Sequence, residues 1–232
     1  MAEALEVKIC GLTRREDAES AASQGADYLG MVLSAGYRRS VAHFDIGTLV
    51  SGLAPTGVAV LVDETVEHAE ELARLAGAGV IQLHGSEPPE MVAELAAQRS
   101  WRLWKAVRAR EPDDVRRTVD LYGAWVEAIL VEGWLEGVVG GGGARVSREC
   151  VGSLREMVPS PLRIVLAGGL RPDNVARAVD HFRPHVVDVS SGVEVAAGWK
   201  SPDLIARFIR KARRARGAGR GTGKPPARGP FA

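Results

Sequence analysis

Eight short apolar runs punctuate the chain, at residues 5–10, 27–33, 57–62, 79–83, 102–107, 126–132, 162–168 and 185–190. They are rich in Val, Ile and Leu and too short for ordinary helices, the pattern of strands buried on both faces. Between them lie longer stretches with helical spacing. In residues 64–79, Val66, Ala69, Leu72, Ala73 and Leu75 form one stripe that stops at Gly77. Residues 15–27 begin with acids and stop at Gly25, as a helix with a favourable first turn and a glycine terminator does. Pro88, Pro89, Pro172 and Pro202 stand where first-turn prolines belong. Strand then helix, repeated eight times, predicts a parallel sheet. Eight such units in roughly 215 residues predict one (β/α)8 barrel, a TIM barrel, rather than an open doubly wound sheet. The sequence after the first run, CGLTRRE, also lacks a glycine-rich dinucleotide fingerprint.

In a barrel, chemistry collects at the C-terminal ends of the strands and in the loops that follow. Reading only those places gives a short set of candidates. The first run ends in Cys10, which is either a small buried hydrophobe or a thiol facing the site. The sixth ends in Glu132 after four apolar residues, an unusual finish for packing; half desolvated, its carboxyl is expected to hold a proton near neutral pH. Arg39 could clamp a carboxylate through its forked guanidinium or be a surface charge. His84 and Asp188 also stand at strand ends, where each could instead satisfy backbone groups. After the seventh and eighth runs come Gly168, Gly169, Ser190, Ser191 and Gly192. Glycines there either make tight turns or let backbone N–H groups close on a phosphate, and in this fold these two loops are the usual phosphate site. No Walker pattern is present, so a sugar phosphate is expected rather than a nucleoside triphosphate.

Charge adds one division to this picture. The 232-residue chain carries a formal +1, but eight of its 30 Lys and Arg lie from Arg210 onward with no acid among them. The remainder holds 22 bases against 29 acids, so an acidic body precedes a basic end. We therefore expect a barrel domain over 1–213 and a disordered Gly/Pro/Arg-rich tail over 214–232. The tail has no interleaved aromatics, so no nucleic-acid partner is expected. No run approaches the ~18 apolar residues of a membrane span, no signal-peptide pattern opens the chain, and two cysteines make neither a disulfide framework nor a zinc pattern. A cytoplasmic location follows as the default.

Five segments, VKICGLT, GADYLGMVL, QLHGSE, LAGGLRPDNV and VDVSSGVEVAAGWKSPD, occur in an order and spacing that closely resemble the phosphoribosylanthranilate isomerase family, over residues 5 to 210. The resemblance implies a barrel enzyme of tryptophan biosynthesis, acting as monomer or homodimer on a small phosphosugar without metal or organic cofactor. It implies an Amadori rearrangement of an aminoaldose phosphate to an aminodeoxyketose phosphate. By the same resemblance Cys10 is the general base, its pKa lowered by its setting, and Glu132 stands at the position of the general acid. Arg39, His84 and Asp188 match substrate-binding positions, and the glycine loops match the phosphate site.

Three departures from the family pattern fall on one side of the site. Glutamate stands at 132 where the family has aspartate, Gly142 stands where a hydroxyl residue follows two glycines, and Tyr37-Arg38-Arg39 replaces Ser-Pro-Arg. Two further expectations remain alongside the isomerase: an altered isomerase of another phosphoribosyl amine, and a barrel that binds a phosphosugar without turnover.

Overall fold

The computed structural model describes residues 4–41, 45–133 and 154–218. The sheet strands are β1 (Glu6–Ile9), β2 (Tyr28–Val32), β3 (Thr56–Leu61), β4 (Val80–Leu83), β5 (Arg102–Arg108), β6 (Ala128–Glu132), β7 (Arg163–Leu166) and β8 (Val186–Val189). All are parallel, each pairs with its sequence neighbour, and β8 returns to β1 with Glu6 opposite Val186 and Ile9 opposite Val189. The ring is closed: this is a (β/α)8 TIM barrel. The helices are α1 (Arg15–Ser23), α2 (Val66–Leu75), α3 (Pro89–Ala97), α4 (Pro112–Tyr122), α5 (Leu154–Met157), α6 (Val175–Phe182) and α7 (Pro202–Ala218). A 3₁₀ turn (Ser191–Val193) and a small hairpin, β9 (Glu194–Ala196) with β10 (Trp199–Lys200), follow β8.

The period-2 alternation of a strand decides what faces the barrel axis. On β1, Val7 and Ile9 point out to the helices while Lys8 and the following Cys10 point in. On β6, Ile129 and Val131 point out, Ala128 and Leu130 in, and Glu132 continues the inward parity. On β8 the inward set is Val186, Asp188 and Ser190. Trp104 and Tyr28, edge to face at 4.9 Å, fill the axis below. Arg163 closes the bottom, bonded to Glu6 at 2.5 Å and to Glu127 at 3.4 Å. Among the described residues, this packed lower half places the cavity at the C-terminal end of the strands.

Two local expectations change. Pro172 precedes its helix, because the Asn174 side chain accepts from the N–H of Arg171 at 2.7 Å and donates to the Gly169 carbonyl at 2.9 Å. These bonds hold 172–174 as a turn, and α6 starts only at Val175. The final helix continues to Ala218, past residue 213; residues 219–232 lie outside the described residues, as do Gly140–Gly143 and Cys150. Among the described residues no helix is long and apolar enough to cross a membrane.

Candidate active site

The C-terminal mouth of the barrel opens into a cavity of about 880 Å³. Cys10, Arg39, His84, Glu132, Asp188 and Ser190 all line it, so six of the residues singled out in the sequence meet in one space. Gly168, Gly169, Ser191 and Gly192 stand in the loops after β7 and β8, outside the lining set. Those two loops press against each other: a Cβ at Gly192 would overlap the carbonyl oxygen of Leu170. A Cβ at Gly168, where φ is +89°, would lie 2.7 Å from the nitrogen of Gly133 and 3.3 Å from Cγ of Glu132. Here glycine is needed for close approach of backbone to backbone, and it seats the side chain of Glu132.

Cys10 is 8% exposed, and its N–H donates to the Val189 carbonyl at 2.8 Å, anchoring β1 to β8. Beneath it Lys8 is fully buried, with its ammonium 3.2 Å from each oxygen of Asp188. Burial opposes a charge on Lys8, but Asp188 and Cys10 outweigh it and hold the ammonium's pKa above the usual lysine range. A Cβ at Gly30 would sit 2.8 Å from Sγ of Cys10 and 3.0 Å from Nζ of Lys8, so only glycine leaves space for thiol and ammonium together. The expectation of a lowered thiol pKa is corrected: burial, then the Asp188 charge, push it above its ordinary 9.0, against the opposing pull of Lys8 and Lys200. The resting group is a thiol.

Glu132 receives a hydrogen bond from Nε2 of His84 at 3.2 Å and lies 3.5 Å from Nε of Arg108. The Gln82 amide donates to Nδ1 of His84 at 2.8 Å, which leaves the imidazole proton on Nε2, facing the carboxylate. The expected rise in the Glu132 pKa is also corrected. The His84 bond, with the nearby Arg108 cation, outweighs partial burial and takes the carboxyl below its ordinary 4.5. The resting group is a carboxylate.

Arg39 is held bidentate by Glu194, with Nε and Nη2 each 2.7 Å from a carboxylate oxygen. Glu194 also accepts from Nζ of Lys200 at 2.7 Å. Lys200 is buried and reaches the Ser190 carbonyl at 3.3 Å. Burial opposes ionisation of Glu194, but Arg39 and Lys200 outweigh it and hold its carboxyl at about 2. Lys8, Gln82, Arg108, Glu194 and Lys200 were not singled out in the sequence. Lys8 did carry a signal, a lone lysine at an inward position of a strand buried on both faces.

The Lys8–Asp188 pair gives a stability prediction. Lys8→Met leaves Asp188 buried without its cation and is expected to cost about 3–5 kcal/mol by urea unfolding. Adding Asp188→Leu removes the orphaned charge and is expected to recover most of that loss. A single variant as stable as the parent would mean that the pair is solvated.

The arrangement brings a thiol and a carboxylate to one cavity, from β1 and β6, with a guanidinium beside it and glycine loops at β7 and β8. Such a set can move protons on a small anionic ligand.

Comparison with known proteins agrees with this geometry. A family model described as N-(5′-phosphoribosyl)anthranilate (PRA) isomerase matches residues 7–211. An N-(5′-phosphoribosyl)anthranilate isomerase of Symbiobacterium thermophilum is 37% identical over 224 residues, 89% of this chain and 97% of its own. The solved phosphoribosyl anthranilate isomerase of Thermotoga maritima superposes with a TM-score of 0.78 at 32% identity, over 90% of this chain and 99% of its own. Another, solved in complex with reduced 1-(o-carboxyphenylamino)-1-deoxyribulose 5-phosphate, gives 0.75 at 31% identity over 90% and 99%.

Proposed function

The chain belongs to the N-(5′-phosphoribosyl)anthranilate isomerase family and is an isomerase of tryptophan biosynthesis, and we propose that Cys10 and Glu132 perform the two proton transfers of its reaction. The substrate is an aminoaldose phosphate whose furanose ring must open before hydrogen can move. In its acid form Glu132 gives a proton to the ring oxygen; the nitrogen lone pair forms a double bond to C1 as the C1–O bond breaks. Cys10, as thiolate, then takes the proton from C2, and the electron pair of that C–H bond neutralises the iminium as an enolamine. Protonation at C1 and loss of the hydroxyl proton on C2 complete the ketose. Hydrogen moves within one molecule, so no net oxidant or reductant is consumed.

The observation that carries this assignment is that Cys10 and Glu132 line one cavity, from strands three places apart around the closed ring. Lys8 supports the thiolate from below, and Arg39, on the same wall as Cys10, has the forked shape that suits the anthranilate carboxylate. Ser190 and the glycine loops after β7 and β8 are the proposed phosphate side. His84 acts on Glu132, and Asp188 on Lys8, rather than on the ligand alone.

Complementation of a tryptophan auxotroph lacking this isomerase tests the function and the glutamate together. The wild-type gene is expected to restore growth without tryptophan, with Glu132→Asp no better. Rescue by the aspartate form alone would overturn the reading of this chain as a working isomerase.

A further inference from the structure

A guanidinium has two forked edges, Nε with Nη2 and Nη1 with Nη2, each able to grip a carboxylate. Glu194 occupies the first edge of Arg39 completely. Arg39 lines the cavity and Glu194 does not, so the pair is ordered from outside inward. Glu194 itself is fixed rather than adaptable. Its Oε1 accepts from Lys200 Nζ at 2.7 Å and from the N–H of Gly198 at 3.3 Å, and its side chain is 6% exposed. Gly11 pins the other flank, since a Cβ there would lie 2.5 Å from Cδ of Arg39 and 2.8 Å from Oγ of Ser190. Two cations share this one carboxylate, which leaves a positive charge for an anion in the cavity to balance.

We propose that Glu194 is a positioning residue that spends one edge of Arg39 in order to aim the other at the carboxylate of the substrate's aryl amine. This rests on the substrate assignment above. It also gives the loop Tyr37-Arg38-Arg39 an answer to its missing proline: the aim that a preset turn would supply comes from a carboxylate 155 residues downstream. Glu194 makes no demand on the reacting carbons, so its contribution belongs to binding of the carboxylate and not to the proton transfers.

The experiment compares N-(5-phosphoribosyl)anthranilate with N-(5-phosphoribosyl)aniline, which lacks the carboxylate, on wild type, Glu194→Gln and Glu194→Asp. Glu194→Gln is expected to raise KM for the anthranilate compound about tenfold with kcat within about twofold, and to leave the kinetics of the aniline compound unchanged. Glu194→Asp keeps the charge but shortens the reach, so its KM is expected to fall between the two. Equal losses on both compounds would show a merely structural role and overturn the proposal. Wild type inactive on both would overturn the substrate assignment, and the proposal with it. Should Glu194→Gln fail to fold, the aspartate variant decides: a KM rise confined to the anthranilate compound supports the proposal, and a shared loss refutes it.

Discussion

Replacing Cys10 by alanine is expected to lower kcat for phosphoribosylanthranilate by about 10³-fold, the usual scale of a lost general base, with KM changed by no more than about threefold. The loss is expected on kcat because, in the proposed mechanism, the thiolate acts on the C2 proton only once that bond is breaking. Cys10→Ser is expected to be nearly as inactive. A hydroxyl keeps the shape and hydrogen-bonding capacity, but it ionises far less readily than a thiol even beside Lys8. Neither substitution removes much buried apolar surface, so both variants are expected to unfold at urea concentrations close to the parent's. In a Cys150→Ser background, the free enzyme's Cys10 is expected to titrate above 9.0, since burial and Asp188 raise it. Its alkylation at neutral pH is therefore slower than that of an ordinary cysteine. A Cys10→Ala enzyme with unchanged kcat would remove the thiol from the mechanism.

Glu132→Gln is expected to cost a similar factor, about 10³ in kcat at pH 7, and its pH dependence separates it from a merely structural variant. In the resting state the thiol is protonated and the carboxyl is not. The proposed mechanism needs the reverse, a thiolate with a carboxylic acid. These two arrangements carry the same number of protons, so their ratio does not change with pH. The wild-type kcat/KM, which reports the groups of the free enzyme, is therefore expected to be flat between the two ionisations. It falls on the acid side below 4.5, where Glu132 titrates, and on the alkaline side above 9.0, where Cys10 does. Glutamine has no proton to give, so ring opening becomes the slow step of Glu132→Gln and its residual rate no longer depends on the Cys10 thiolate. Solvent acid must open the ring, and the residual rate falls as pH rises through neutrality. Cys10→Ala, stalled at the later step, also falls with pH as the acid form of Glu132 is lost. A residual rate of Glu132→Gln that rises with pH, following the thiolate, would show that C2–H cleavage still limits and that the carboxyl is not the donor.

The barrel was legible because each strand is buried on both faces and therefore written as a continuous apolar run, and because helices between runs carry their own stripes. Parity then carried Cys10, Glu132 and Asp188 to the axis: each stands an even number of residues from an inward core position. The charged partners were not legible. Lys8 meets Asp188 across 180 residues and Arg39 meets Glu194 across 155, contacts that exist only once β8 closes on β1. Contacts between distant strands also explain why both ionisation expectations had the wrong sign. Desolvation of Glu132 can be inferred from four preceding apolar residues, but the N–H of His84 that outweighs it comes from β4. The glycines after β7 and β8 announced close backbone approach, and part of that approach is between the two loops themselves. Glu194 and Lys200 sat in plain view in SSGVEVAAGWK, yet nothing local distinguishes a carboxylate that serves Arg39 from one that serves solvent.

The order of the two proton transfers gives the most direct test of the central assignment. In the proposed mechanism ring opening by Glu132 precedes C2–H cleavage by Cys10, so the two variants are expected to stall at different steps. With substrate deuterated at C2, Cys10→Ser is expected to show a full primary isotope effect on kcat, and Glu132→Gln an effect near unity. A full effect in Glu132→Gln together with none in Cys10→Ser would contradict the assignment of both residues.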